Sequence, residues 1–156
     1  MKTLLSRIKE NLRADGVLAT YVKSIAIQIT SADLLPDVAV TMIPFIGIAP
    51  VTSTESFVST QEKAEVHTVK IQIVNKFDVK EVSILGDSVK KGIKEIIDDV
   101  ENVIRSKFFP SGGVNYLSKP SEITGVTYTT SPYGDQFYVF VASITLVCEK
   151  RIQVSV

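Results

Sequence analysis

The residues best suited to chemistry in this sequence are its one histidine, His67, and its one cysteine, Cys148. A thiol beside a histidine can act as a nucleophile when its surroundings lower the pKa of the thiol. Both residues fall in segments that alternate like strands, but nothing in the sequence around them marks an activating environment. We therefore interpret His67 as a structural residue and Cys148 as a small buried hydrophobe.

Other motifs of enzymes and metal proteins are missing from the sequence. Asp98 and Asp99 are adjacent on a predicted helix and diverge by about a quarter-turn, so they read as a solvated face and not as an acid–base pair. Zinc sites need clusters of cysteine and histidine. The pair Gly112-Gly113 is not followed by Lys-Ser/Thr, as a phosphate loop would be. The sequence predicts no catalytic residues, no metal site and no cofactor.

The bulk composition limits the classes of partner. The chain has 156 residues, which fits one domain over 1–156, and its 17 basic and 17 acidic residues give a net charge of zero. A neutral chain argues against sequence-specific nucleic-acid binding, which uses a basic face. No run is long enough for a membrane helix, and residues 1–10 do not resemble a secretory signal. We expect a cytosolic protein that binds no sequence-specific nucleic acid and no membrane.

Two amphipathic helices are predicted from apolar residues at helical spacing. The first covers residues 3–15, with Thr3 as its cap and Gly16 ending it in a left-handed conformation. The second covers residues 88–107, after a stop and cap at Gly86-Asp87-Ser88. The apolar stripe of the second helix consists of Val89, Ile93, Ile96, Ile97, Val100 and Ile104.

Strands are predicted wherever β-branched and apolar residues alternate with polar ones. They lie near residues 25–29, 40–51, 65–77, 122–130 and 135–152. Pro44 and Pro50 place the second of these at a sheet edge, because proline cannot donate to a ladder. The order, roughly α-β-β-α-β-β, predicts an α+β domain with a mostly antiparallel sheet and two packing helices.

The last strand is apolar on both faces. Phe137, Val139 and Val141 lie on the face opposite Tyr138 and Phe140. Two coverings are possible: the two helices pack on opposite faces of the sheet, or a neighbouring subunit covers part of one face. The second possibility makes Phe137, Val139 and Val141 candidate interface residues.

Three long segments, 52–64, 76–85 and 110–120, read either as solvated connections or as partner-binding loops. The first of them is either a polar loop or the arm of a hairpin. They contribute further candidate interface residues, and the proline-flanked strand adds two more. The added residues are Pro44, Phe45, Phe57, Phe77, Lys80, Glu81, Tyr116 and Lys119.

The order of these elements resembles the tail-terminator proteins of tailed phages and, more loosely, head–tail completion and neck proteins. The resemblance covers nearly the whole chain and rests on pattern, not on a signature motif. Its parts are the first helix, the proline-flanked strand 42–50, a hairpin leading into residues 66–74, the second helix, and the closing hairpin that ends in residues 138–148.

The resemblance implies a structural virion protein of the tail or neck region that assembles in the host cytoplasm. It implies a homo-oligomeric ring, hexameric in such proteins, that caps the tail tube, stops its growth and joins it to the head. The implied partners are further copies of the chain, the tail tube protein and head–tail connector or neck proteins, with the tail sheath as a further candidate.

Two alternatives stay open. One is a different neck or head–tail completion protein. The other is a non-viral small-molecule or peptide-binding module with a pocket lined by residues such as Phe45, Phe77, Tyr128 and Tyr138.

Overall fold

The computed structural model describes residues 2–28, 43–77, 84–108, 122–133 and 137–154. In chain order these form α1 (Lys2–Ala14), a 3-10 turn (Leu18–Thr20), β1 (Ser24–Ile27), β2 (Phe45–Phe57) and β3 (Glu62–Phe77). Then follow α2 (Ile93–Phe108), β4 (Glu122–Tyr133) and β5 (Phe137–Gln153). The predicted α+β class is confirmed, and each of the five strands overlaps a predicted one.

The five strands form one mixed sheet in the order β1-β2-β3-β5-β4. Only β1 and β2 are parallel; the other neighbours are antiparallel. β3 and β5 pair along their whole length, from Glu62 opposite Gln153 to Phe77 opposite Tyr138. These two long central strands are therefore the frame on which the other elements are placed.

Both helices pack on the same face of the sheet. The apolar stripes of α1 and α2 share one core cluster with alternate residues of β2, β3 and β5, such as Ile48, Ile71 and Ile144, each fully buried. The possibility that the two helices cover opposite faces is therefore wrong. Val126 of β4 packs at the margin of this cluster.

The opposite face of the sheet has its own, smaller apolar cluster. Ile43, Phe45, Val74, Val139 and Val141 pack together there, and each is at most 7% exposed. Further along this face the residues turn polar, and Gln72 donates a hydrogen bond to Ser143 over 3.3 Å. The apolar excess on the second face of β5 is therefore already buried within the chain at this end of the strand.

The ends of both helices differ from the sequence-based expectation. The first helix already includes Lys2 and Thr3 and ends at Ala14, and Gly16 does not take a left-handed conformation. Instead, the carboxylate of Asp15 accepts a hydrogen bond from the backbone N–H of Leu18 over 2.9 Å, which links the end of α1 to the 3-10 turn.

The second helix begins at Ile93, five residues later than predicted. Val89 was expected in its apolar stripe but is 94% exposed. Gly86 has a φ of +75°, and the carboxylate of Asp87 accepts from the backbone N–H groups of Val89 and Lys90. This capped turn therefore precedes the helix. The first turn of the helix is capped by Glu95, whose Oε1 accepts a hydrogen bond from the backbone N–H of Gly92 over 3.3 Å.

Candidate functional site

The most prominent surface feature is a three-stranded arm that we define as residues 52–57 of β2, 62–68 of β3 and 147–153 of β5. These segments pair in register from Thr52 opposite Thr68 to Phe57 opposite Lys63, and from Glu62 opposite Gln153 to Thr68 opposite Val147. The expected segment 52–64 is thus a hairpin arm with a short turn, and not a loop. Phe57 and Val58 stand at its tip, 75% and 49% exposed.

One edge of the arm, on β2, has no described strand beside it. β1 pairs only with Phe45–Ile48 of β2, so no described strand pairs with the outer side of β2 beyond that point. On the other side, β4 pairs with β5 as far as Val147. The strand 42–50 was expected at a sheet edge, but β1 pairs with its residues 45–48, and the part of β2 without a described outer neighbour is residues 49–57.

Ion pairs hold the side chains of the arm. Lys63 pairs across the strands with Glu55, and this hydrogen bond holds the pKa of the Glu55 carboxyl below its usual range. On the other side of the arm, Arg151 contacts Glu149 at 2.7 Å and Glu62 at 3.4 Å. The arm therefore presents alternating charges along its length and an apolar tip.

His67 lies at the base of the arm, opposite Cys148 in the register of β3 and β5. Its Nδ1 is 2.9 Å from the hydroxyl oxygen of Ser53, and its Nε2 is 3.4 Å from a carboxylate oxygen of Glu65. His67 is 5% exposed, its Nε2 has no hydrogen bond in the described structure, and Cys148 is fully buried. The two residues are therefore sheet neighbours without access for a substrate, which favours the structural interpretation of both.

A cleft of about 440 Å³ lies at the other end of β3, where the chain enters β2 and α2. Four lysines line it, together with polar residues and a partly apolar floor. The lining residues are Thr20, Tyr21, Lys23, Ile43, Pro44, Asn75, Lys76, Val89, Lys90, Lys91 and Ile96. A volume of this size is in the range of ligand sites, which is roughly 300–1,000 Å³.

One wall of the cleft is fixed by a polar cluster that joins the 3-10 turn to α2. The phenol of Tyr21 donates to a carboxylate oxygen of Asp99 over 2.7 Å, and the ammonium of Lys91 contacts the same oxygen at 2.5 Å. Lys91 also lies 4.8 Å from the centre of the Tyr21 ring. Burial, and then the hydrogen bond to Asp99, raise the pKa of the Tyr21 phenol well above its ordinary value.

The opposite wall is held by backbone contacts. Lys90 donates from its ammonium to the carbonyl of Lys76, and the side chain of Asn75 donates to the carbonyl of Lys91 over 3.4 Å. These bonds tie the end of β3 to the turn before α2. The cleft is thus built by four separate parts of the chain that the fold holds together.

The predicted interface residues fall into three groups. Phe45, Val139 and Val141 are buried within the chain, at 2%, 0% and 7% exposure, and Pro44 is half-buried beside the cleft. Phe57 is exposed at the arm tip. The side chains of Phe77 and Phe137, and the whole of Lys80, Glu81, Tyr116 and Lys119, lie outside the described residues. Among the described residues, Phe45, Val139 and Val141 share the second apolar cluster, and Phe57 lies apart from them at the arm tip.

The alternative pocket is likewise not assembled by the described residues. Phe45 is 2% exposed, and the side chains of Phe77, Tyr128 and Tyr138 lie outside the described part. The lysine cleft was missed because its lysines are far apart in the sequence. The one signal in the sequence was the pair Lys90-Lys91, which falls in the first turn of the predicted second helix.

The described residues contain no group of three or more histidine, cysteine, aspartate or glutamate side chains that could hold a metal ion. None of the described helices is long and apolar enough to span a membrane.

Comparison with known proteins assigns no family to this chain. No model of a known protein family matches the sequence. No curated protein shows significant similarity to it either.

Proposed function

We propose that this chain is a non-catalytic assembly subunit that forms a closed homo-oligomeric ring at the end of a phage tail tube. In this role it caps the tube, ends its growth and joins the tail to the head or neck. The observation that carries the proposal is the arm, with a 75% exposed phenylalanine at its tip. The resemblance in the order of elements supplies the tail context.

The exposed tip supports assembly on energetic grounds. Phe57 and Val58 are adjacent apolar side chains on a projecting hairpin, and burying such groups against a partner gains roughly 25 cal/mol per Å² of apolar area. Aromatic anchors of this kind often dominate the binding energy of interfaces. A partner surface would therefore stabilise this end of the arm.

The outer edge of β2 in the arm supports association between copies. No described strand pairs with the outer side of residues 49–57, so an unlike surface of a neighbouring copy would add to this edge. Contacts between unlike surfaces generate closed rings when the rotation between copies closes. Strand addition at such edges uses main-chain hydrogen bonds and does not need a specific side-chain motif.

The test measures oligomeric state on the full chain. Mass photometry and negative-stain imaging, alone and with tail tube protein, are expected to show a ring of uniform size. Phe57→Ser should weaken the contact between copies by about tenfold or more, since a tenfold change in a binding constant corresponds to about 1.4 kcal/mol. Val89→Ser is the matched control, because Val89 is 94% exposed but lies away from the arm.

A strict monomer at high concentration, both alone and with tube protein, would contradict the proposal. If the Phe57 and Val89 variants lose rings to the same extent, the arm is not the surface that forms the contact between copies. Rings that bind a connector protein but leave tube length unchanged would point instead to another neck or head–tail completion protein.

A further inference from the structure

The outer edge of β2 in the arm has few of the features that keep strand edges from pairing. Residues 51–57 are all exposed, and no described strand lies beside them. Charged side chains, proline and bulges are the usual protection of an edge. Here Pro50 and the bulge between Pro50 and Thr52 stand at the start of this stretch, and its one charged side chain, Glu55, is paired with Lys63. The edge can therefore accept a further strand.

The side chains of this edge are compatible with a second copy of the same edge. When two identical strands pair antiparallel around a two-fold axis perpendicular to the sheet, one residue lies opposite its own copy. With Thr54 at this position, Ser53 lies opposite Glu55 of the second copy, and Thr52 lies opposite Ser56. None of these pairs brings like charges together, and each combines groups that can exchange hydrogen bonds across the strands.

The neighbouring registers fit less well. With Glu55 at the axis, two carboxylates would lie directly opposite each other, which destabilises a strand pair. With Ser53 at the axis, Phe57 would reach Ala49 of the second copy, next to the residues that already pair with β1. The central register brings Phe57 level with Val51 instead, and these are the two large apolar side chains of the edge, 75% and 46% exposed.

We propose that free subunits associate as a two-fold dimer through antiparallel pairing of their β2 edges, residues 51–57, centred on Thr54. Main-chain hydrogen bonds join the two arms, and each Phe57 is covered by the second copy. This contact joins like surfaces, so it goes beyond the proposed ring, which joins unlike ones. Because it occupies the same edge, the dimer competes with the ring for the arm.

Concentration decides between the two assemblies. A ring requires several copies and a dimer only two, so dilution disfavours rings more steeply than dimers. We expect dimers at low concentration, and rings at high concentration or on tube protein. Paired arms then hold back the assembly of subunits that have not met a tube, a role that rests on the proposed ring function.

The test places one new thiol on the two-fold axis. In a dimer of Thr54→Cys the two introduced thiols lie directly opposite each other, with Cβ atoms about 4.5–5.5 Å apart, so mild oxidation or a short bifunctional thiol reagent should link them. In a head-to-tail ring the same thiol faces an unlike residue and stays unlinked. The unsubstituted chain is the first control, because its Cys148 is fully buried.

A second thiol position checks the register. Thr52→Cys should give at least about tenfold less covalent dimer, because Thr52 lies opposite Ser56 and about 13 Å along the strand from its own copy. A mixture of Thr52→Cys and Ser56→Cys subunits should link again, as a dimer with one copy of each variant. Non-reducing gel electrophoresis measures the covalent dimer in every case.

Thr54→Lys tests the contact without a covalent link. Two ammonium groups would lie opposite each other at the axis, so the dimer dissociation constant, measured by mass photometry, should rise by about fivefold. Thr60→Lys makes the same change at an exposed position in the turn of the arm, outside the paired residues. It should change the dissociation constant by less than about twofold.

Three outcomes would overturn the proposal. The first is no more covalent dimer from Thr54→Cys than from the unsubstituted chain. The second is equal linking of Thr54→Cys and Thr52→Cys. The third is ring formation by the covalently linked Thr54→Cys dimer, which would show that dimer and ring use different surfaces. Failure of the ring proposal looks different, since the Thr54→Cys dimer then links while no concentration and no tube protein produces rings.

Discussion

The environment of Asp99 in the structure differs from the one that its sequence neighbours predict. Because Asp99 follows Asp98 on a charged helix, the sequence predicts that it lies on a solvated face. In the structure Asp98 is exposed, whereas the Asp99 side chain is only 19% exposed and contacts both Tyr21 and Lys91. Tyr21 is 78 residues away, so local spacing could not reveal this contact.

The Tyr21 phenol leads to a prediction about pH. Its pKa is raised in the folded protein by burial and by Asp99, whereas in the unfolded chain it titrates near about 10. The folded state therefore keeps this proton while the unfolded state loses it. Stability is fully present below about pH 10 and falls above it, by up to about 1.4 kcal/mol per pH unit from this group alone.

Tyr21→Phe tests this prediction by urea unfolding at a series of pH values. At neutral pH the variant should be less stable than the parent by about 1 kcal/mol, because one hydrogen bond is lost. Above about pH 10 the difference should shrink, since the phenylalanine has no proton to lose. A difference that stays constant from neutral to alkaline pH would show that the Tyr21–Asp99 contact does not hold the proton.

At the scale of elements, the interiors of helices and strands could be predicted from periodicity, and their ends could not. The second helix illustrates this, because Val89 has the right spacing for the apolar stripe but is 94% exposed. What ends the pattern is a turn fixed by Asp87 and by two glycines in close contact. Close contacts between backbone segments produce no periodic pattern of apolar residues, so the sequence does not reveal them.

Substitution of Gly92 tests that junction. A Cβ on Gly92 would lie 2.5 Å from the carbonyl oxygen of Ile84 and would also meet the backbone nitrogen of Gly86. These are backbone atoms, so the turn must move as a whole. We expect Gly92→Ala to lower the free energy of unfolding by about 1–3 kcal/mol.

Gly16→Ala is the control for this change. Gly16 has nothing within 4 Å of a built Cβ and its φ is not positive, so alanine there should be neutral or slightly stabilising. Chemical denaturation monitored by circular dichroism measures both variants. Equal stabilities of the two would mean that the turn adjusts without cost.

For the whole molecule, the fold class followed from the element order, but the placement of the layers did not. The apolar residues on both faces of β5 predicted that both faces are covered, without indicating by what. The structure places both helices on one face and forms a second cluster with Phe45 and Val74 on the other. Alternation identifies the two faces of a strand, and only the three-dimensional packing decides which elements cover each.

Substitution of Val139 tests whether its side chain belongs to the core of the subunit or to an interface between subunits. It is fully buried within the chain, so Val139→Ala should destabilise the separate subunit by about 1–3 kcal/mol through lost burial and a small cavity. Unfolding is measured at a concentration low enough to prevent assembly. The control Val51→Ala, at a position that is 46% exposed, should change stability by less than about 0.5 kcal/mol.

If the Val139 variant keeps full stability as a separate subunit and loses only assembly, its side chain belongs to an interface after all. If the separate subunit is destabilised and its rings still form at low temperature, the residue is part of the core. The two measurements therefore separate roles that the sequence pattern could not.

The position of β5 in the sheet also bears on how the chain folds while it is being synthesised. β5 is the last described strand to be made, yet it lies between β3 and β4 and pairs with β3 along its full length. Until the ribosome has released residues as far as Gln153, β4 has no neighbour and one long edge of β3 is unpaired. Unpaired strand edges are prone to aggregation, so the nascent chain exposes such an edge until β5 has been made.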